Sequence, residues 1–304
     1  MAPIRLKHRV EYLALLLVAA CVRSLPRSTA LAFGRVAGRW SMRLLPGRYR
    51  LARDNMSRAL PELSSDALEE QLRKSFEHVG MSGVEMLRLD LFRPGSDDIK
   101  RYFEVEDLTP LNEALKLERG VLLLTAHLGF WEIGNFVLPE KGVPFDVVAK
   151  PLKNPLSDHY FNRLRTAYGV QILGSRKGAR RILTSLHKQR VVGILLDQHI
   201  SPPGSVAVEF FGRPAYTTTA IASLAMKHQI PVVPMFCLRQ ADNRYRIWTE
   251  PMLLLEGQGH DAVVANTQRL TDIIETAIRQ DVSQWFWMHK RWRVRRKKQG
   301  ARNE

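Results

Sequence analysis

With 304 residues, 45% of them hydrophobic, the chain has material for one large domain or two small ones and a full core, which excludes a disordered or fibrous polypeptide. Two cysteines, Cys21 and Cys237, cannot build a disulfide framework and are expected to be small buried hydrophobes, and no zinc-ligand spacing occurs. The net charge of +16 calls for an anionic partner, whether nucleic acid, a lipid surface or a phosphorylated substrate.

From the N terminus, residues 12–22 form a run of 11 uncharged positions bracketed by Glu11 and Arg23. A membrane span needs about 20. Arg5, Lys7 and Arg9 precede the run, so a signal peptide is one alternative. A retained anchor that dips into one leaflet is favoured, because an amphipathic segment continues directly into the rest of the chain, and a marginal span stays open. Residues 12–53 hold eight arginines and no acid. Phe33, Val36, Ala37, Trp40 and Leu44 lie within about 100° on a helical wheel, beside a separate stripe of Arg35, Arg39 and Arg43. This pattern suits a helix lying on anionic lipid, and the same face could also pack on the protein's own core. Pro46 and Gly47 then end the unit.

A helical pattern opens at Ser64 and Ser65 and runs toward Leu89, with Leu68, Leu72, Phe76, Val79 and Gly80 on one side. A short strand is expected at 103–105, a helix at 108–117 and a buried strand at 120–125, just before His127. Strands at 143–149, 170–173 and 191–196 alternate with helices at 155–168 and 178–189. A helix at 218–228, strands at 230–238 and 245–248, and a helix at 261–279 complete the pattern. The alternation predicts an α/β fold, a single catalytic domain with a mostly parallel central sheet flanked by helices. The expected division is an N-terminal membrane-associated helical segment at 1–50, the α/β domain at 51–295 and a basic mobile tail at 296–304.

In such sheets ligands bind beyond the carboxyl ends of the strands. His127 and Asp197 each follow such an end. Glu132 comes five residues after His127, and on one continuous helix that spacing diverges by about 140°. The two side chains meet only if the chain turns between them, at Gly129. A neutral imidazole backed by a carboxylate can take a proton from an alcohol; a buried structural histidine is the commoner outcome of the spacing alone. Backbone N–H groups near Gly129 are candidates for holding an oxyanion. No G-x-S-x-G occurs, so no serine elbow is indicated.

Lys150, Arg163, Arg165, Arg176 and Lys177 make a basic stretch suited to phosphate, each with a solvated helix charge as its plainer role. Asp197 and Gln198 precede a Pro-rich loop at 201–204, a candidate mobile cover for the site. Asp197 could pair with one of the arginines, hold a substrate hydroxyl or cap a turn, and His199 is expected to face elsewhere. Phe210 and Phe211 could line an acyl channel or serve the core. Trp285, Trp287 and Trp292 interleave with Lys290, Arg291 and Arg293, a pattern of nucleic-acid stacking or of a membrane-interface belt. The arginine-rich N-terminal helix favours the membrane, and no nucleic acid is expected.

The segment from His127 to Glu132 resembles the H-x4-D/E motif of the lysophospholipid acyltransferase superfamily. Asn55 with Pro61 and Glu62, the block from Lys150 to Pro155 with Arg163 and Arg165, the run from Gly193 to Gln198, the block from Phe210 to Ala215, and the block from Gln284 to Trp292 resemble, in order, signatures of one branch, the lipid A biosynthesis acyltransferases. One position departs: Thr217 to Thr219 is followed by Ala220 where the family often has glycine. The resemblance implies a membrane-associated O-acyltransferase with His127 as general base and Glu132 orienting it, and with no cofactor and no metal. It implies a thioester donor, acyl carrier protein or acyl coenzyme A, and a phosphorylated glycolipid acceptor bound by Arg165 first, with Lys150, Arg163, Arg176, Asp197 and Gln198 as further substrate contacts. The basic surface suits either donor, one acidic and the other phosphorylated. The implied location is the cytoplasmic side of a bacterial inner membrane. The alternatives are the same chemistry on a phosphatidylinositol mannoside-like glycolipid or a lysophospholipid, and a non-enzymatic basic protein that binds membrane or nucleic acid.

Overall fold

The computed structural model describes residues 4–174 and 178–293. The chain opens with four helices, α1 (Leu6–Ser24), α2 (Arg27–Leu44), α3 (Pro46–Ala59) and α4 (Ser65–Met86). Then come α5 (Asp97–Tyr102), β1 (Phe103–Val105), α6 (Thr109–Leu115), β2 (Val121–Thr125), α7 (Gly134–Glu140), β3 (Phe145–Ala149), α8 (Pro155–Arg165), β4 (Gln171–Gly174), α9 (Gly178–Leu186) and β5 (Val191–Leu195). The hairpin β6 (Ser205–Phe210) and β7 (Arg213–Thr218) follows, then α10 (Ala220–His228), β8 (Val232–Arg239), β9 (Tyr245–Thr249) and α11 (Gly259–Gln280).

The sheet has seven strands in the order β1-β9-β8-β2-β5-β3-β4. Every neighbouring pair is parallel except β8 with β9. This is the expected α/β architecture. The central strand β2 reads Val-Leu-Leu-Leu-Thr because both of its faces are covered. Leu122 and Leu124 enter one core with α9, α10 and α11, and Val121 and Leu123 enter the other with α6, α7 and α8. β2 and β5 pair with Thr125 opposite Leu195, so both strands end at one level. His127 and Asp197, each two residues further on, are therefore neighbours.

The N-terminal helices are built onto this body. Gly34 and Gly38 of α2 cross Gly80 of α4 at backbone contact: a Cβ at Gly80 would lie 2.1 Å from the Gly34 carbonyl oxygen, and one at Gly38 would lie 2.2 Å from that of Phe76. Only glycine permits this approach. Glu85 of α4 is fully buried and bonded by Arg27 of α2 (2.5 Å), Arg239 of β8 (2.6 Å) and the Tyr245 hydroxyl of β9. Burial works against its ionisation, and the two guanidinium groups outweigh burial and hold it charged. Removing one partner of such a buried set is strongly destabilising, so this cluster locks the helical layer to the sheet.

Several expectations change. The helix α2 does stop just before Pro46, at Leu44, but no loop follows: Pro46 opens α3 at the first helical turn, where its missing N–H costs nothing. The segment 205–218 is a hairpin whose turn residues Phe211 and Gly212 both have positive φ, 54° and 63°, so the helix expected from 218 starts at Ala220. Phe210 and Phe211 belong to the core, not to a channel, and pack edge-on and tilted against Trp285. Trp285 and Trp287 are 1% and 0% exposed and Arg291 is 0% exposed, so this block is no interfacial belt. Cys237 is buried as expected, but Cys21 is exposed on α1. Among the described residues no helix is long and apolar enough to cross a membrane.

Candidate active site

β2 delivers His127 to the sheet's carboxyl edge, and hydrogen bonds at His127, Gly129 and Phe130 fix the backbone there. The His127 N–H donates to Asp197 Oδ2 (2.9 Å), and its carbonyl accepts from Phe286 N (3.0 Å). Gly129 N–H donates to the Gln284 carbonyl (3.1 Å), and its own carbonyl accepts from Nε2 of His78 on α4 (3.0 Å). Phe130 N–H points at Cys237 Sγ (3.2 Å). Gly129 has φ +58°, and a Cβ there would lie 2.1 Å from the Cys237 carbonyl oxygen. Burial, assisted by nearby Arg239, pushes His78 down to about 4, so it stays neutral and donates to the loop. The Gly129 and Phe130 N–H groups are thus committed within the fold and are not available to an oxyanion.

The imidazole does not meet Glu132 as expected. His127 Nδ1 lies 2.8 Å from Asp197 Oδ1, while Trp285 Nε1–H donates to Asp197 Oδ2 (2.7 Å). Burial works to raise the Asp197 carboxyl, but the charge of His127 and the hydrogen bonds from His127 and Trp285 prevail and hold it down to about 2. An ionised Asp197 fixes the proton on Nδ1 and leaves the Nε2 lone pair free to accept. In this structure the Gln198 side-chain nitrogen lies 3.1 Å from Nε2. Of the roles open to Asp197, pairing with an arginine is not the one found: its partners are His127 and Trp285.

Glu132 has a different partner. Arg165 grips it through Nε (3.2 and 3.0 Å to the two oxygens) and Nη2 (2.5 Å), and Asn135 adds a bond of 2.7 Å. Burial lowers the Arg165 guanidinium, and the Glu132 carboxylate more than reverses this, raising it above its ordinary value. Among the described residues Arg165 Nη1 carries no hydrogen bond. The reason for the separation is local. Residues 131–133 form a short 3-10 turn after the Gly129 bend, which carries Glu132 toward α8.

A cleft of about 330 Å³ joins the two pairs; its lining includes His127, Trp131, Glu132 and Arg165, with Phe130, Leu152 and Phe161. The Trp131 ring is 5.1 Å from that of His127. Lys150 is exposed at the end of β3, and Arg163 is exposed with its guanidinium over Tyr160, 5.6 Å from the ring centroid. Neither lines this cleft with Arg165. Arg176 lies outside the described residues. His199 turns to Ser201 (3.2 Å), away from the pair, as expected. Trp285 and His78 were missed as site residues. Trp285 stood out only as an interleaved tryptophan, and His78 carried no signal because its role is a contact across 51 positions.

The arrangement can accept a proton at an imidazole nitrogen, stabilise the cation through a buried carboxylate, and present a guanidinium to an oxygen anion in an apolar cleft. Comparison with known proteins bears on what uses it. The model of the bacterial lipid A biosynthesis acyltransferase family matches residues 3–294. A lipid A biosynthesis palmitoleoyltransferase of Escherichia coli (strain K12) is 27% identical over 275 residues, 89% of this chain and 87% of that protein. A lipid A biosynthesis lauroyltransferase of the same organism is 27% identical over 280 residues, 90% of this chain and 88% of the other. A phosphatidylinositol mannoside acyltransferase of Mycolicibacterium smegmatis is 25% identical over 276 residues, 89% and 88% of the two chains.

Proposed function

This chain belongs to the bacterial lipid A biosynthesis acyltransferase family and is an acyltransferase, and we propose that it moves a fatty acyl chain from a thioester donor to a hydroxyl of a lipid A precursor. The observation that carries the mechanism is the His127–Asp197 pair at the mouth of an apolar cleft. His127 Nε2 takes the hydroxyl proton as the acceptor oxygen attacks the thioester carbon. The tetrahedral intermediate then collapses, the C–S bond breaks, and the thiolate leaves with the proton returned from the imidazolium. Asp197 stabilises the imidazolium between the two transfers. The Gln198 amide must move aside for the hydroxyl to reach Nε2, which makes it a substrate-contact residue. Arg165, held by Glu132, offers Nη1 to an anionic oxygen, either the acceptor's phosphate or the oxyanion.

Acyl carrier protein is the first donor to test and acyl coenzyme A the second, since an acidic carrier and a phosphorylated one both complement the +16 charge. Incubation of the purified chain with acyl carrier protein thioesters and a lipid A precursor, read by mass spectrometry, should add one acyl group to the precursor. Absence of any added acyl group with this donor and with acyl coenzyme A would refute the reading. The mannoside acyltransferase relative motivates a second acceptor in the same assay, a phosphatidylinositol mannoside; preference for it would move the activity to that branch.

We also propose that the helical layer docks on the cytoplasmic face of an inner membrane. Leu6, Leu13 and Leu17 of α1 and Phe33, Val36, Trp40 and Leu44 of α2 are exposed, beside Arg35 and Arg43. Each basic side chain at an anionic surface is worth about 1 kcal/mol. Arg35→Ala with Arg43→Ala should therefore weaken binding to phosphatidylglycerol-containing vesicles by roughly 10–30-fold. Binding to wholly zwitterionic vesicles should change little. An unchanged partition onto anionic vesicles would reject this face as the contact.

A further inference from the structure

We propose that the cleft beside His127 is a slot for a fatty acyl tail, and that the missing side chain of Gly83 sets how much tail the slot admits. The proposal rests on the acyl-transfer reading above and adds a specificity-determining position to it. One wall of the slot belongs to α4. Val79, Ser82, Gly83 and Met86 recur at i, i+3, i+4 and i+7 and so form one stripe along the helix. Leu152 and Phe161 line the same cleft from the α8 side. The volume of about 330 Å³ lies at the small end for a ligand site, and most of the lining is apolar. His127 and Trp131 also line it, so a tail held there starts within reach of the base.

Gly83 stands apart from the glycine one turn earlier. Gly80 is required by the helix crossing, where a Cβ would strike the α2 backbone. At Gly83 a Cβ meets no atom within 4 Å, and the residue sits in regular helix. Neither packing nor backbone conformation asks for glycine there. Glycine inside a helix is destabilising relative to alanine, so its presence carries a cost with no structural return. Gly83 is solvent-exposed and lines the cleft, so the open space beside it lies at the cleft's solvent side. A side chain at 83 would take volume from the slot and nothing from the fold.

The test compares wild type, Gly83→Ala and Gly83→Leu with thioester donors of about eight to sixteen carbons and a lipid A precursor, measuring kcat/KM for each donor and KM for the acceptor. One methylene in an apolar pocket discriminates by roughly 10–200-fold. Gly83→Leu should move the preferred donor shorter by about two to four carbons and cut kcat/KM for the wild-type optimum by roughly tenfold or more. Gly83→Ala should make a smaller step in the same direction. Neither variant should melt below wild type. Such a shift in the donor profile means that the slot holds the donated chain. A rise in acceptor KM with an unchanged donor profile means that it holds a tail already on the acceptor. If wild type transfers acyl groups and both variants keep its donor profile and acceptor KM, the proposal is wrong; Gly83→Ala decides should Gly83→Leu fail to fold. If wild type transfers nothing from any donor, the acyl-transfer reading fails first and takes this with it.

Discussion

Asp197→Asn is expected to lower kcat by roughly 10²–10⁴-fold while leaving the fold intact. The substitution keeps the size of the side chain but removes the charge that stabilises an imidazolium, and it lets the amide impose the wrong tautomer on His127. His127→Ala should cost at least as much, because it removes the proton acceptor itself. The double variant should be little worse than the more damaged single one, since the two residues act as a unit. The buried Asp197 side chain is held down to about 2, so it is ionised well below neutrality and the acidic limb of the rate profile should not follow its titration above about pH 4. An Asp197→Asn enzyme with near wild-type kcat would show that the imidazole needs no carboxylate from the segment after β5 and would return attention to Glu132.

The second large effect concerns Arg165 and Glu132. Arg165→Ala strips the partner from a carboxylate whose side chain is only 9% exposed, and breaking such a pair costs about 3–5 kcal/mol of stability. Transfer rates should therefore be normalised to folded protein, and should still fall by about 10²-fold or more if the guanidinium meets an oxyanion or phosphate. Glu132→Gln should also lower the rate, because Arg165 loses the anchor that aims it. The informative comparison is the double variant. If Glu132 works through Arg165, adding Glu132→Gln to Arg165→Ala leaves the rate where Arg165→Ala had put it and recovers part of the lost stability, as removing both charges does in buried pairs. A further drop in rate would mean that Glu132 has its own line to His127.

These two experiments separate pairings that the linear chain makes equally plausible. His127 and Glu132 are five residues apart and both are acid–base groups, so proximity in sequence suggests that they touch. The Gly129 bend and the short 3-10 turn at 131–133 send Glu132 to α8, where Arg165 lies 33 positions away in the chain. Asp197 is 70 positions from His127, yet the parallel register of Thr125 with Leu195 brings the two ends together. Arg163 and Arg165 are two residues apart on one helix, and only the second faces the cleft, because neighbouring positions on a helix point about 200° apart after two steps.

The amino-acid order alone determined that this is an α/β chain with a largely parallel sheet, that His127 and Asp197 stand at strand ends, and which family's signatures it carries. Those properties are local: apolar runs, periodicity and short motifs encode them within a few residues. The tertiary structure decided which carboxylate the imidazole meets, that the Trp285 indole holds that carboxylate, that the tryptophan-rich block is core, and that one wall of the cleft is a helix from the first third of the chain. Strand register and helix crossing fix these contacts between residues tens to hundreds of positions apart, and neither leaves a periodic trace in the sequence that a local reading can detect.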